Sequence, residues 1–459
     1  MQSSTRLWYC RCAFLLFCLA PTVLVGTWIA RRASGGYVAV QKAEWERSLS
    51  DRLGLLVSIQ TIASQSPGVV RLENVSFLEP ESRRVIAQVQ ALDCAATNGG
   101  WQIDAFRLQV DAEQLSKIRR ALDERILRAH GELPTCDFSA SELTVTYGSP
   151  TDSGPAQTLI DCAARLEMMK EGPHLTFSFQ LPAGRNQLTN PTVLTVARDR
   201  SSSPAATHWQ LNTGETALPC ALLAEAIPPL VRLGRDGRFA GSVVMANTTG
   251  GMSGKNIRGE LNGTFFGVDL DSLVTEQFPH QLSGIAALRL DRAAVENGRL
   301  VELRGTLQAQ HGAVSHSMLL AASEHLGLEL VKGFETLQAG RVMPFGQLTV
   351  GFELTGHSLR LTGGADETGN RILLANATGP VLLARPQHST PAVNLLRTLL
   401  PDNHYQVPAT RQSDALIGLL PMPDVVPVRT ASAPGHMPAR LSAVPPAAAA
   451  PAIRQPRLR

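Results

Sequence analysis

The chain has 459 residues, of which 44% are hydrophobic and 18% charged, so it is too apolar to be disordered throughout and too long for one small domain. A charged share below the usual quarter means that apolar surface has to be hidden in a core, in a membrane or under a ligand. The formal net charge of +3 is too small to imply a nucleic-acid partner, although all but five of the 42 basic residues are Arg, the side chain suited to phosphate and anionic lipid.

The first element in chain order is AFLLFCLAPTVLVGTWIA, Ala13 to Ala30, an uncharged run with Arg6 and Arg11 before it and Arg31 and Arg32 after it. About twenty apolar residues cross a bilayer. A cleaved signal peptide has a shorter apolar region and small residues at its cleavage site, where this chain has Arg31 and Arg32. Residues 1–35 are therefore expected to hold an uncleaved transmembrane signal-anchor, rather than a cleaved signal peptide. The flanking charges balance, so an N-in, C-out orientation rests on the character of the remaining chain. Trp45, Leu49 and Leu53 recur at helical spacing, which predicts a helical stalk over 36–66.

Strand patterns follow. In VRLENVSFLEPESRRVIAQVQALD (70–93), two alternating runs flank a Glu-Pro-Glu-Ser turn, and Val85, Ala87, Val89 and Ala91 are expected on one face. WQIDAFRLQV (101–110) reads as a further strand. It runs into an inserted helix over 111–130, with Leu115, Ile118, Leu122 and Ile126 as its apolar stripe and Asp111 as its cap. HLTFSFQL (174–181) alternates strictly: Leu175, Phe177, Phe179 and Leu181 against His174, Thr176, Ser178 and Gln180. The second half repeats this pattern in VELRGTLQAQ (301–310) and QLTVGFEL (347–354), with helices over 315–328 and 391–400. From 421 the chain becomes Pro/Ala-rich without a period, a composition expected to be disordered. The predicted organisation is thus anchor (1–35), stalk (36–66), two β-rich regions (67–215 and 216–420) and tail (421–459).

The expected fold class is mainly β with a few helices: an elongated, curled antiparallel sheet that forms a hydrophobic groove. On the order of fifteen strands about 4.8 Å apart would extend roughly 70 Å, and large open sheets curl or split. Two β-rich domains with closed cores satisfy the same periodicity.

Seven cysteines occur. Cys94, Cys136, Cys162 and Cys220 lie beyond the apolar run and are disulfide candidates, with three possible pairings if all four pair. Free buried thiols are the alternative. No C-x-x-C spacing is present. The closest approach to a phosphate-binding loop, TGGMSGKN (249–256), lacks both the first Gly and the final hydroxyl. His311 and His316 lack acidic or sulfur neighbours for a metal. No catalytic, metal or cofactor residues are assigned, and no enzyme activity is expected.

The anchor, helix and hairpin at the start, the strand-rich middle with its inserted helix, and a C-terminal cassette (IRGELNGTFFGVDLDSLV, then FPHQLSGIAALRLDRAAVENGRLVELRGTLQAQHGAVSHSMLLAA) together resemble the AsmA-like family of envelope proteins. The resemblance covers most of residues 13–385. It implies a single-pass inner-membrane protein with most of the chain in the periplasm, similar to bridge-like lipid transfer proteins. Phospholipids would be its partners, other envelope proteins would be further ones, and its role would be in outer-membrane homeostasis. The chain departs from the family in its short length, in the helix over 111–130 and in the basic Pro/Ala tail. On this reading the lipid-groove candidates are Phe177, Phe179, Leu181, Leu348, Val350 and Phe352. A non-catalytic envelope scaffold without lipid cargo is the alternative, and a hydrolase with a site assembled from distant residues is a third reading.

Overall fold

The computed structural model describes Trp8 and residues 13–32, 35–66, 68–129, 131, 133–147, 156–182, 190–224, 227–234, 236–248, 257–334, 340–365, 371–385, 387–400 and 420. The chain divides into two units, residues 1–422 and 423–459, and every described residue belongs to the first. The expected disordered tail and the 249–256 loop lie outside the described residues.

The fold is mainly β, one large, mostly antiparallel sheet that curls without closing. Its first strands are β1 (Leu56–Ser66), β2 (Val69–Leu78), β3 (Val85–Thr97) and β4 (Gly100–Asp111). β5 (Thr135–Thr146) lies parallel to β4, and the helical crossover between them is the kind of connection that a parallel pair requires. That crossover is a 3-10 turn (Ala112–Gln114), an α-helix (Leu115–Ala121) and a π-helical turn (Leu122–Leu127). β6 (Ala156–Met168), β7 (Pro173–Gln180), β8 (Thr192–Asp199) and β9 (Ala206–Asn212) continue as an antiparallel meander. The short β10 (Leu218–Pro219) and β9 both pair with β11 (Arg238–Asn247). β12 (Ile257–Asp269), β13 (Leu282–Glu296), β14 (Arg299–Ser315), β16 (Val342–Thr355) and β17 (Ser358–Thr362) complete the main ladder, while the two-residue β15 (Glu329–Leu330) pairs with a later strand. Shorter strands between and beyond these finish the sheet.

Residues directly opposite each other on neighbouring strands share a face, so the register can be followed across the sheet. One such row runs Val70–Cys94–Ile103–Phe138–Ala164–Phe177–Leu194–Leu211–Val243–Leu261–Ala293–Leu303–Leu354–Leu359, from β2 to β17. Every member is apolar. The adjacent row on the other face, Gln102–Asp137–Arg165–Thr176–Thr195–Gln210–Val244–Glu260, is polar except at Val244. Along this row one face is apolar throughout, and the neighbouring row on the other face is solvated, as alternation over a half-buried sheet requires.

The wall bends along a line. Between Leu72 and Val75, Val89 and Leu92, Ala105 and Leu108, Ala140 and Leu143, and Leu159 and Cys162, inward residues are three apart instead of two, and ladder pairing is interrupted at the same level. In alternate strands the residue on this line is left-handed: Asn74 (φ 49°), Arg107 (φ 51°) and Asp161 (φ 52°). Such local kinks increase twist and bend a strand, and aligned across β2 to β6 they curl the sheet. They also correct the expected hairpin face. Ala91 moves out of phase with Ala87 and Val89, and Leu92 and Cys94 are buried in its place.

The expected stalk is helical only in its first part. A helix over Gly35–Leu53 stops at Gly54, whose φ of 68° suits a helix end. Leu56–Ser66 is strand β1, because Val57 and Ile59 alternate inward and are buried. The helix covers the free edge of β1. Ile59 N–H donates to Glu46 Oε1 at 2.8 Å and Val57 N–H to Ser50 Oγ at 3.0 Å. Trp45 meets Trp101 edge to face, with centroids 6.0 Å apart.

The N-terminal segment also departs from expectation. Its helical backbone is divided into a π-helix over Leu15–Leu19 and a 13-residue α-helix over Ala20–Arg32. Pro21 has no N–H to give to the turn before it, and Ala20 N–H reaches back to the Leu15 carbonyl in the wider π pattern. No described helix is long and apolar enough to cross a membrane. The segment is nevertheless strongly apolar at its surface: Phe14, Leu16, Phe17 and Leu24 are all at least 60% exposed.

Buried residues form two clusters. One extends from Val57 to Leu218, the other from Cys220 to Leu420. In the second, Leu319, Ala322 and Leu326 of a helix over His316–Leu326 and Leu396 of another over Val393–Leu399 belong to the same buried cluster as Phe345, Leu348 and Leu354. The C-terminal part of the trough is thus filled by the chain itself. The helix expected from Pro391 begins at Val393 instead, because Ser389–Pro391 pairs with β17 and Thr390 is buried, donating to the His325 carbonyl at 3.3 Å.

Candidate functional site: an apolar cleft on the inner face

Where the first cluster meets the second, the wall is not filled. A cleft of about 290 Å³ opens there. Its floor is made of consecutive members of the apolar rows: Phe177 opposite Leu194, Leu194 opposite Leu211, Leu211 opposite Val243, and Trp209 opposite Met245. Leu143, Val145, Leu159 and Phe179 extend it towards β5, and Leu218, Leu222, Leu223 and Ile227 close the far side. The roof is the inserted helix, through Leu115, Ser116 and Arg119. The lining is therefore apolar except for Ser116, Arg119 and the indole N–H of Trp209.

The surroundings are apolar. Tyr147, two residues beyond Val145 on the same strand face, has a buried hydroxyl with no hydrogen-bond partner, and burial pushes its pKa up to about 12. Buried Gln114, next to Leu115, leaves its Oε1 unpartnered. Neither residue lines the cleft itself; burial among apolar side chains lowers the local dielectric around both.

The structure separates the lipid-groove candidates. Phe177 and Phe179 line the cleft, with ring centroids 5.4 Å apart. Leu181 is buried in the first core and does not line it. Leu348 is buried in the second core, and Val350 and Phe352 pack against that core. Phe352 lies over Gly305, where an added Cβ would come within 2.9 Å of its ring. These three belong to the second core and do not line the cleft. The sequence reading missed Leu194, Trp209, Leu211, Val243 and Met245, which join Phe177 through register across β8, β9 and β11. No strand is expected from sequence over 192–199 or 206–212, and the register between strands is not legible in any one of them.

The disulfide candidates are all free thiols. Cys94 and Cys136 lie on β3 and β5 with β4 between them. Two strand spacings of about 4.8 Å exceed the Cα separation of about 7 Å that a disulfide tolerates. Cys162 pairs with Ala140 while Cys136 pairs with Leu166, a four-residue offset along the ladder. Burial pushes Cys94, Cys162 and Cys220 up to about 11, and raises Cys136 as well. They behave as small apolar core residues.

Other chemistry is sparse. Among the described residues, no group of three or more His, Cys, Asp or Glu is placed to hold a metal. His316 is buried and His311 sits exposed at a left-handed kink (φ 62°). His280 Nδ1 lies 3.1 Å from Ser317 Oγ, but His280 is buried and no carboxylate orients it among the described residues. A shallower depression of about 470 Å³ around Gly172 and Arg200 is open. There Arg200 already serves the fold, donating to the carbonyls of Leu127 and Ala129.

Comparison with protein-family models and with curated proteins finds no match to the chain.

Proposed function

We propose that the chain is a membrane-anchored, non-catalytic lipid-binding protein that holds acyl chain in the inner-face cleft and takes part in phospholipid transfer, the role implied by its resemblance to the AsmA-like family. The observation that carries this reading is the cleft itself, an apolar row of the sheet left open beneath the inserted helix where the two core clusters meet. A sixteen-carbon chain meeting water costs roughly 12 kcal/mol, so a carrier has to offer continuous apolar contact. The exposed apolar surface between Phe14 and Val25 supports attachment to a bilayer through the N-terminal segment. The sheet would then stand on the periplasmic side of the inner membrane, where phospholipids and other envelope proteins would be its partners.

Native mass spectrometry of the purified full chain tests the reading. The expected result is a population carrying adducts of fatty-acid or phospholipid mass, reduced when Leu194→Trp fills the floor. Lipid-free protein in both forms would overturn it. The second reading, a scaffold without cargo, is favoured by the filled C-terminal trough and predicts that lipid-free result.

A further inference from the structure

We propose that the cleft selects a single-chain anionic amphiphile, with the tail along Phe177, Leu194, Leu211 and Val243 and the anionic group on Arg119. The inference rests on the lipid-binding reading and narrows it to one ligand class. Pockets for drug-sized ligands run from about 300 to 1,000 Å³. At about 290 Å³ this cleft lies at the small end of that range, which favours insertion of one chain over two.

The charge preference comes from the roof. Lys117 pairs with Glu79 at 2.6 Å, Arg120 with Glu124 at 2.9 Å and Arg128 with Asp123 at 2.5 Å, while Arg125 does not line the cleft. Arg119 has no such partner among the described residues, is half-buried and lines the cleft. A guanidinium at the edge of an apolar space gains most from an anion that can accept two of its N–H groups. Ser116, one turn earlier on the same roof, adds a hydroxyl donor. A carboxylate and a phosphate monoanion both meet this description, so a fatty acid and a lysophospholipid are the two sources of the same chemistry.

Trp209 on the floor provides the readout. The full chain, held in a phosphatidylcholine nanodisc, is titrated with brominated C16 fatty acid, brominated lysophosphatidylglycerol and brominated monoacylglycerol. Trp209→Phe supplies the background from the remaining tryptophans. The expected result is saturable quenching by one or both anionic quenchers, at least about tenfold tighter than by the uncharged one. Arg119→Gln should abolish that preference, Arg119→Lys should keep it in part, and circular dichroism should be unchanged in both. Preference for the fatty acid or for the lysolipid identifies the source. Equal quenching by charged and uncharged chains, unaffected by Arg119→Gln, overturns the anionic inference and leaves lipid binding standing. Quenching by brominated diacyl lipid in the disc, with none by single chains, overturns the single-chain inference alone. Absence of quenching by every probe removes both.

Discussion

Leu211 stands directly opposite Val243 across the β9–β11 ladder, and Leu211 packs against both core clusters. The pair is the seam at which the two halves of the wall become one surface, and it also forms part of the cleft floor. Truncating a half-buried Leu falls at the low end of the range for core Leu→Ala changes, so Leu211→Ala should lower stability by about 2 kcal/mol. Urea unfolding followed by far-ultraviolet circular dichroism measures it. A loss below a few tenths of a kcal/mol would mean that the seam contributes no packing.

The kink line makes a separate prediction about backbone. Arg107 is exposed and holds φ at 51°, a region where a β-branched residue is strongly disfavoured. Arg107→Val should destabilise by about 1 kcal/mol, while Arg107→Gly should cost nothing or stabilise slightly. If both variants unfold at the parent's midpoint, the left-handed residue is not what bends the sheet.

The edge of β1 is protected by side chains instead of by another strand, an exposed edge being an aggregation hazard. Glu46 accepts from Ile59 N–H and Ser50 from Val57 N–H. Glu46→Ala should cost about 1 kcal/mol through the unmet amide and should speed hydrogen exchange at Ile59 more than at Val75, its partner across the β1–β2 ladder. Equal protection at both amides in the variant would show that Glu46 does not seal the edge.

These elements differ in how far sequence alone reveals them. The β class, the inserted helix and the strict alternation of 174–181 follow from period two and period 3.6, because each depends only on near neighbours. The face of the first hairpin was misplaced because a kink at each strand shifts the phase by one residue, and nothing in Gln90 or Arg107 marks it. Strand β1 was read as stalk because Trp45, Leu49 and Leu53 set a helical period that Gly54 ends abruptly. Phe177 and Phe179 were legible as wall residues. Their place in an open cleft, and the burial of Leu348, depend on which helices return over the sheet, which is a long-range fact. Arg119 has no local signature at all, since only the roof's placement brings it over the floor.

The last prediction concerns pH. His280 is buried, and that burial lowers its pKa from the ordinary value of 6.5 against an opposing interaction with the Thr398 backbone. The folded chain therefore holds the ring neutral in a range where the unfolded chain takes up a proton. For a histidine shifted this way, the stabilising contribution is fully present above about pH 6.5 and is lost as the pH falls from there towards the folded value. Protonation would also put a charge against Ser317 Oγ, 3.1 Å from Nδ1. Unfolding free energy should thus fall between pH 7.5 and pH 5 more steeply in the parent than in His280→Gln, other histidines contributing equally to both. Denaturant midpoints for the two proteins at those pH values provide the comparison, and parallel curves would show that His280 titrates alike in the folded and unfolded chain.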